Sequence, residues 1–166
     1  NNMPEQTPKE VTAKQKRYEE LSSREEWLRL KTIADIKVAQ YFIPKTEVYK
    51  EKIVSDKTYQ EYFSGDRHLL DSRITAKALA LAQQKRFFHW FLEFPEIFNI
   101  GGFDCILGNP PFLGGQRISG TYGNEYLNWL KTNYSITGSC DLVTYFFRRI
   151  FNIIKFKGFE SLISTN

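Results

Sequence analysis

The sequence predicts an α/β fold in which a strand–helix–strand (βαβ) unit occupies the C-terminal third and a mainly helical segment precedes it. Three observations predict this arrangement. Phe103–Leu107 is a short apolar run after two glycines, which is typical of a parallel strand buried on both faces. Asp141 is a good N-cap for the amphipathic stretch 142–155, which predicts a helix. Lys157-Gly158 predicts a turn, after which Phe159–Thr165 predicts the next strand.

The first hundred residues show the spacing of several helices. Lys9–Glu20 has a charged helical pattern, and Ser23 with Glu26 three residues later predicts a capping box that opens a second helix. The apolar side chains at helical spacing in that second helix are Trp27, Leu30, Ile33, Ala34, Val38 and Tyr41. Further helices are predicted at Ser55–Phe63 and Arg73–Phe88.

The predicted boundary lies near Gly101, where the pattern changes from helical to strand-like. We expect residues 1–100 to form a helical connecting segment and 101–166 a partial α/β domain that is truncated at its C-terminus. The chain opens with Asn1-Asn2-Met3 and stops directly after a strand-like run, so we expect it to be a piece of a larger protein.

The composition excludes several classes of protein. With 166 residues, 42% of them hydrophobic, the chain can bury a core and is not intrinsically disordered. A net charge of +4 fits a polyanionic partner. Two histidines and two separated cysteines, Cys105 and Cys140, predict no metal site and two free or buried thiols. No apolar run approaches a membrane span and no signal peptide is visible, so a cytoplasmic protein is expected.

The most informative motif is Asn109-Pro110-Pro111-Phe112, which follows the predicted strand after Gly108. Asn109 offers a side-chain carbonyl, and the backbone carbonyl of Pro110 is a second free acceptor. Both prolines have φ fixed near −65°, so the loop is stiff. Two acceptors can therefore converge on one amino group, while Phe112 covers the ring that carries it.

This arrangement suits the chemistry of a conjugated amine. Such an amine is a weak nucleophile because its lone pair is delocalised. Acceptors outside the ring plane would draw the nitrogen towards sp3 geometry, which favours the transition state over the ground state. The motif therefore predicts transfer of a group to a planar amine.

The string Phe103–Phe112 resembles the catalytic motif of amino-methyltransferases that use S-adenosylmethionine. It is most similar to one branch, the adenine-specific DNA methyltransferases of type IIG restriction–modification enzymes and related phage-defence methylases. The resemblance extends from Ile33 to the end and is strongest after Phe87, with further similar strings at Phe88–Phe98, Asp141–Phe147 and Gly158–Asn166. Phe112 stands where Tyr is commoner in the family, and both side chains can stack.

The resemblance implies a partial Rossmann-like methyltransferase domain that acts on double-stranded DNA. Asn109 and the Pro110 carbonyl would accept hydrogens from N6 of a flipped adenine, Pro111 would hold the shape of the loop, and Phe112 would stack on the base. The cofactor implied is S-adenosylmethionine. No Gly-rich strand–loop–helix precedes Gly101, so the main cofactor-binding loop is expected to be absent and the isolated chain inactive.

Two other interpretations stay open at this point. The same motif serves methyltransferases of protein glutamine side chains and of RNA guanine, and the chain alone could be a non-catalytic helical interaction module. Asp104 is a structural acid or a site residue, and His89 with Trp90 is interpreted as a core pair. The DNA recognition sequence, a nuclease domain and the oligomeric state are not determined by this sequence.

Overall fold

A computed structural model describes residues 7–65 and 73–163, and they pack into two compact units. The predicted division into 1–100 and 101–166 concerns folding domains, which these contacts do not test, so it stays a prediction. The turn that the sequence predicts at Asp66, and the end of the predicted strand at Thr165, lie outside the described residues. Across the described ranges, every helix is too short or too polar to cross a bilayer.

The first unit consists of the chain up to Gln40 together with Glu51–Glu93. Its helices are α1 (Pro8–Ser22), α2 (Glu25–Ala39), α3 (Asp56–Ser64), α4 (Arg73–Lys85) and α5 (Trp90–Glu93). The helix predictions at Lys9–Glu20, Ser55–Phe63 and Arg73–Phe88 are thus confirmed within a few residues. The core forms where α2 packs against α3 and α4, and its buried apolar side chains are Ile33, Ala34, Ile36, Ala39, Tyr62, Ala78, Leu81 and Ala82.

One carboxylate, Asp35, is fully buried in this core. Lys31 Nζ donates to its Oδ2 at 2.7 Å, and His89 Nε2 lies 2.7 Å from its Oδ1. The interpretation of His89 as a satisfied core side chain is confirmed, with Asp35 as its partner, whereas Trp90 is only partly buried. A buried charge requires such partners because an unpaired one is costly to desolvate.

The capping box predicted at Ser23 is wrong. Ser23 ends α1, where its N–H donates to the Glu19 carbonyl at 3.1 Å, and α2 begins after Arg24, which makes no side-chain cap. The capping box lies at the start of α1, where the side chains of Thr7 and Glu10 each accept from the backbone N–H of the other. Because α2 follows α1 almost directly, Ser23 is used to finish the first helix rather than to open the second.

The second unit consists of Tyr41–Lys50 together with the chain from Phe94 onward. Its elements are α6 (Pro95–Asn99), β1 (Phe103–Gly108), α7 (Gly115–Tyr122), α8 (Asn124–Tyr134), α9 (Leu142–Phe151) and β2 (Ile154–Leu162). Among the described residues, β1 and β2 form a parallel sheet. The predicted mixture of helices with a parallel strand pair is therefore confirmed.

The turn predicted at Lys157-Gly158 is wrong, because β2 runs through these residues. Ile154 lies opposite Phe103 and Phe159 opposite Cys105, so five residue steps on β2 face two on β1. The pairing is irregular where β2 accommodates these extra residues, and Lys157 there has a φ of 67°. A residue in the left-handed region beside a glycine is compatible with a turn and with an irregular strand, so the local sequence does not separate them.

The expectation that β1 is buried on both faces is also wrong. Side chains two residues apart, and register neighbours on adjacent strands, lie on the same face of a sheet. On one face, Cys105 is exposed, and Leu107 and Phe159 are each 75% exposed. Burial of β1 on both faces would need further elements to cover this exposed face, and the described residues do not supply them.

Two helix boundaries also differ from expectation. The pair Gly114-Gly115 by itself predicts a flexible stretch, but Gly115 begins α7 with Gly114 as its N-cap. The helix predicted over 142–155 ends at Phe151, because Asn152 caps it and β2 starts at Ile154. A two-residue connection of this kind leaves no signal in the sequence. The end of the helix is set instead by the tertiary pairing of β2 with β1.

Candidate active site

The Asn-Pro-Pro-Phe loop directly follows the carboxyl end of β1. Gly108 closes that strand, and its carbonyl accepts a hydrogen bond from the Ile163 N–H at 3.0 Å. The loop therefore leaves the sheet from a fixed point. Open α/β sheets bind their ligands beyond the carboxyl ends of their strands, so this is where a ligand site is expected.

The four motif residues differ in exposure. Asn109 and Pro111 are exposed, Pro110 is buried, and Phe112 is 47% exposed. Within residues 7–65 and 73–163, no group hydrogen-bonds to the Asn109 side chain. The Asn109 amide and about half of the Phe112 surface are thus accessible, while Pro110 packs the loop against the body of the unit.

The loop has a second fixed point just after the motif. The Leu113 carbonyl accepts a hydrogen bond from the Leu142 N–H at 3.0 Å, which joins the loop to the first residue of α9. The Leu113 side chain packs against a buried cluster that also contains Ile118, Leu130 and Tyr145. The motif is therefore held between the end of β1 and the start of α9.

Asp141 caps α9 at this second fixed point, as predicted. Its side chain accepts from the Val143 N–H at 3.0 Å, and its own φ and ψ of −62° and 152° are extended. An N-cap of this kind satisfies an otherwise unpaired donor of the first turn. The cap thus orders the turn from which Leu142 reaches the loop.

Aromatic side chains of α7, α8 and α9 belong to the buried cluster or pack against it. Successive ring centroids of Tyr122, Tyr126, Trp129, Tyr134 and Tyr145 lie 5.2 to 6.0 Å apart. Burial raises the pKa of Tyr126 to about 12 and raises the pKa values of Tyr134 and Tyr145. These phenols are therefore neutral at neutral pH and serve as packing for the helices that support the loop.

Asp104 lies near the opposite end of β1 from the motif. Lys155 Nζ of β2 donates to its Oδ1 at 2.8 Å, so Asp104 links the two strands. Four residue steps separate Asp104 from Gly108, which is roughly 13 Å of extended strand. The structure thus gives this acid a strand-pairing contact and no contact with the motif loop.

The model of the Eco57I restriction-modification methylase family matches residues 11–166 of the chain. The chain belongs to this family. A restriction-modification methylase is a DNA methyltransferase, and methyltransferases of this family generally use S-adenosylmethionine. The resemblance found in the motif is thereby confirmed at the level of the restriction–modification methylases. Comparison with curated proteins and with solved structures found no match.

The sequence predicts that the main loop for S-adenosylmethionine is absent from this chain, and this stays a prediction. A cofactor loop of this class needs glycines between a strand and a helix so that the ligand can approach the backbone. Within residues 7–65 and 73–163, β1 is followed by the two prolines of the motif, and the Cys140 backbone lies beside the later Gly115.

Proposed function

We propose that the chain is the motif-bearing part of a DNA (adenine-N6) methyltransferase from a type IIG-like restriction–modification or phage-defence system. Its fold would be part of a Rossmann-like methyltransferase domain. The observation that carries the proposal is the Asn109–Phe112 loop at the carboxyl end of a parallel strand, in a chain of a DNA methylase family. Family membership favours DNA over protein glutamine or RNA as substrate.

In this proposal, Asn109 and Pro110 act on the amine. The Asn109 side-chain carbonyl and the Pro110 backbone carbonyl accept the two N6 hydrogens and localise the nitrogen lone pair. Pro111 keeps the two acceptors in place because its φ is fixed. The exposed Asn109 amide has no hydrogen-bond partner within the described residues, so it is free for a substrate.

Phe112 binds the base. An adenine inside a duplex has its amine paired, so the base must leave the stack before it can react. Stacking of a base on an aromatic ring contributes about 1–3 kcal/mol, which offsets part of the cost of unstacking. The Phe112 ring, 47% exposed, has surface available for this contact.

S-adenosylmethionine, bound outside the described residues, would supply the methyl group from its sulfonium. The contribution of this chain is then to capture the adenine and to hold its amine in a reactive geometry. We therefore assign Asn109 and Phe112 separate effects: loss of Asn109 lowers the rate of transfer, and loss of Phe112 weakens capture of the base.

The proposal is tested by transfer of labelled methyl from S-adenosylmethionine to DNA by the full-length protein, followed by digestion to nucleosides. We expect label in N6-methyladenine. Asn109→Ala should lower the rate by about 10²–10³, as loss of one transition-state acceptor or donor does in a comparable site. DNA affinity should change little, because the group acts mainly in the transition state. The matched control is Asn128→Ala, at an exposed position in α8.

Each contrary outcome removes a different part of the proposal. Label in RNA or protein would replace the substrate and keep the amine chemistry. No transfer to any acceptor would favour a non-catalytic module. An Asn109→Ala protein as active as Asn128→Ala would show that Asn109 does not have the role assigned to it.

A further inference from the structure

Two adjacent glycines follow the motif, and only the second is in a crowded place. A Cβ on Gly115 would collide with the Cys140 carbonyl oxygen, and it would lie 2.5 Å from Ser139 Oγ and 2.8 Å from the Cys140 nitrogen. A Cβ on Gly114 would meet nothing within 4 Å. Gly115 is thus required by the approach of another backbone segment and not by its own backbone conformation.

The segment that approaches Gly115 is the one that leads into α9. Cys140 is followed by the N-cap Asp141 and then by Leu142, whose N–H donates to the Leu113 carbonyl at 3.0 Å. Two backbone contacts, one at residue 113 and one at Gly115, therefore join this segment to the chain just after the motif. We call the segment 139–142 the brace.

The brace complements the contact at the other end of the loop. There, the Ile163 N–H donates to the Gly108 carbonyl. Residues 109–112 span the distance between the two fixed points, and two of the four are prolines with little torsional freedom. A displacement of the brace would therefore be passed on to Asn109 and Phe112, since the loop has few torsions that can absorb it.

We propose that Gly115 is a positioning residue for the motif loop, because it admits the brace and so fixes where Asn109 and Phe112 lie. This inference rests on the function proposed above for that loop. The colliding atoms belong to the brace backbone, which cannot rotate away as a long side chain can. A side chain at position 115 must therefore separate the start of α7 from the brace.

The test compares Gly115→Ala with Gly114→Ala in the full-length protein. Both substitutions add one methyl group to neighbouring residues, but only the first meets the brace. A misplacement of about 1 Å can lower the rate of a reaction roughly 10²-fold, so we expect Gly115→Ala to lower kcat by about that factor. KM for DNA should change less than kcat, because the phosphate contacts that dominate affinity are left intact. Gly114→Ala should match the wild type in both constants.

A readout independent of activity is the hydrogen exchange of the Leu142 amide, which donates to Leu113. We expect this exchange to be faster in Gly115→Ala than in Gly114→Ala. If the two variants have the same kcat and the same exchange rate at Leu142, the proposal is overturned.

A second pair of variants covers the case in which Gly115→Ala does not fold. Leu142 is the first residue of α9, where proline is compatible with the helix, and Asp141 already has the extended backbone that a following proline favours. Leu142→Pro removes the N–H that binds Leu113, whereas Leu142→Ala keeps it and removes more side chain. A lower kcat for the proline variant than for the alanine variant supports the brace, and equal values would overturn it.

The wild-type protein separates failure of this inference from failure of the proposed function. If it labels no adenine, the proposed function fails, and the exchange rate of Leu142 still decides whether Gly115 admits the brace. If it labels adenine, and Gly115→Ala matches Gly114→Ala both in kcat and in the exchange rate of Leu142, only the brace is disproved.

Discussion

At the scale of single residues, side-chain exposure separates the motif residues that are proposed to act on a ligand from those that support the loop. Asn109 and Phe112 offer accessible surface, whereas Pro110 is buried. A loop whose backbone is fixed by proline and by hydrogen bonds at both ends loses little further entropy when a ligand binds. The two accessible side chains are therefore presented in a preorganised geometry.

Phe112 gives a prediction about base capture. Phe112→Tyr should be tolerated because both rings stack, whereas Phe112→Ala should weaken capture by the stacking contribution of about 1–3 kcal/mol. The measurement is the fluorescence of 2-aminopurine at the target position of a DNA duplex, titrated with the full-length protein. Phe151→Ala is the matched control, since Phe151 is 75% exposed at the end of α9 and outside the loop. An alanine variant at 112 that captures the base as well as this control would rule out stacking.

Asp35 illustrates a residue whose role was not predicted from the sequence. It is an acidic residue within the apolar pattern of α2, yet it is 0% exposed and binds both Lys31 and His89. Lys31 is four residues away on the same helix, but His89 is 54 residues away. Only the packing of α5 near α2 brings His89 to Asp35.

At the scale of elements, the sequence predicted most helices and misplaced some of their ends. Periodicity of apolar residues extends over many positions, so α1, α3, α4 and α9 were predicted near their observed places. Ends depend on one or two residues, and the same residue can serve either of two neighbouring helices. Ser23 is such a case, because α1 and α2 are separated by Ser23 and Arg24 alone.

The two cap positions give a prediction about helix stability. Thr7→Ala should destabilise α1 by about 1 kcal/mol, because the Glu10 N–H loses its acceptor. Ser23→Ala should have a much smaller effect, since the Ser23 hydroxyl does not cap α2 and donates to the Glu20 carbonyl at 3.0 Å. Hydrogen exchange of the amides in the first turns of α1 and α2 measures both effects. Faster exchange in α2 of Ser23→Ala would mean that the sequence-based capping box was right after all.

For the strand pair, the order of the elements was predicted from the sequence, but the register between the strands was not. Apolar runs before Gly108 and after Gly158 indicated two strands, and the intervening helix required them to be parallel. The surplus residues of β2 are absorbed around Lys157 at φ 67°. Register depends on contacts between strands about fifty residues apart, which no local window contains.

At the scale of the whole molecule, the described residues make two compact units and one open sheet face. The sheet has only β1 and β2 among these residues, so Leu107 and Phe159 stay exposed. Parallel sheets are normally covered on both faces. The motif loop is nevertheless well fixed, because its contacts come from the end of β2 and the start of α9, which both follow the loop in the sequence.

The cofactor prediction belongs to this scale. We expect the 166-residue chain alone to bind S-adenosylmethionine weakly or not at all, because the described residues contain no open Gly-rich loop after a strand. Isothermal titration calorimetry of the isolated chain measures this, with the full-length protein as the positive control. If the isolated chain binds S-adenosylmethionine with a Kd in the micromolar range or tighter, the chain contains the main cofactor site and the prediction is wrong.

The sequence by itself determined the motif, its place after a strand, most of the helices and the kinship with restriction-modification methylases. These follow from local patterns: fixed φ at proline, apolar periodicity, and a string of residues that can be compared with a family. The tertiary structure decided the partner of Asp35, the register irregularity in β2 and the need for glycine at 115. Each of these depends on atoms from distant parts of the chain meeting in space, and close packing, rather than any local preference, sets which residue fits there.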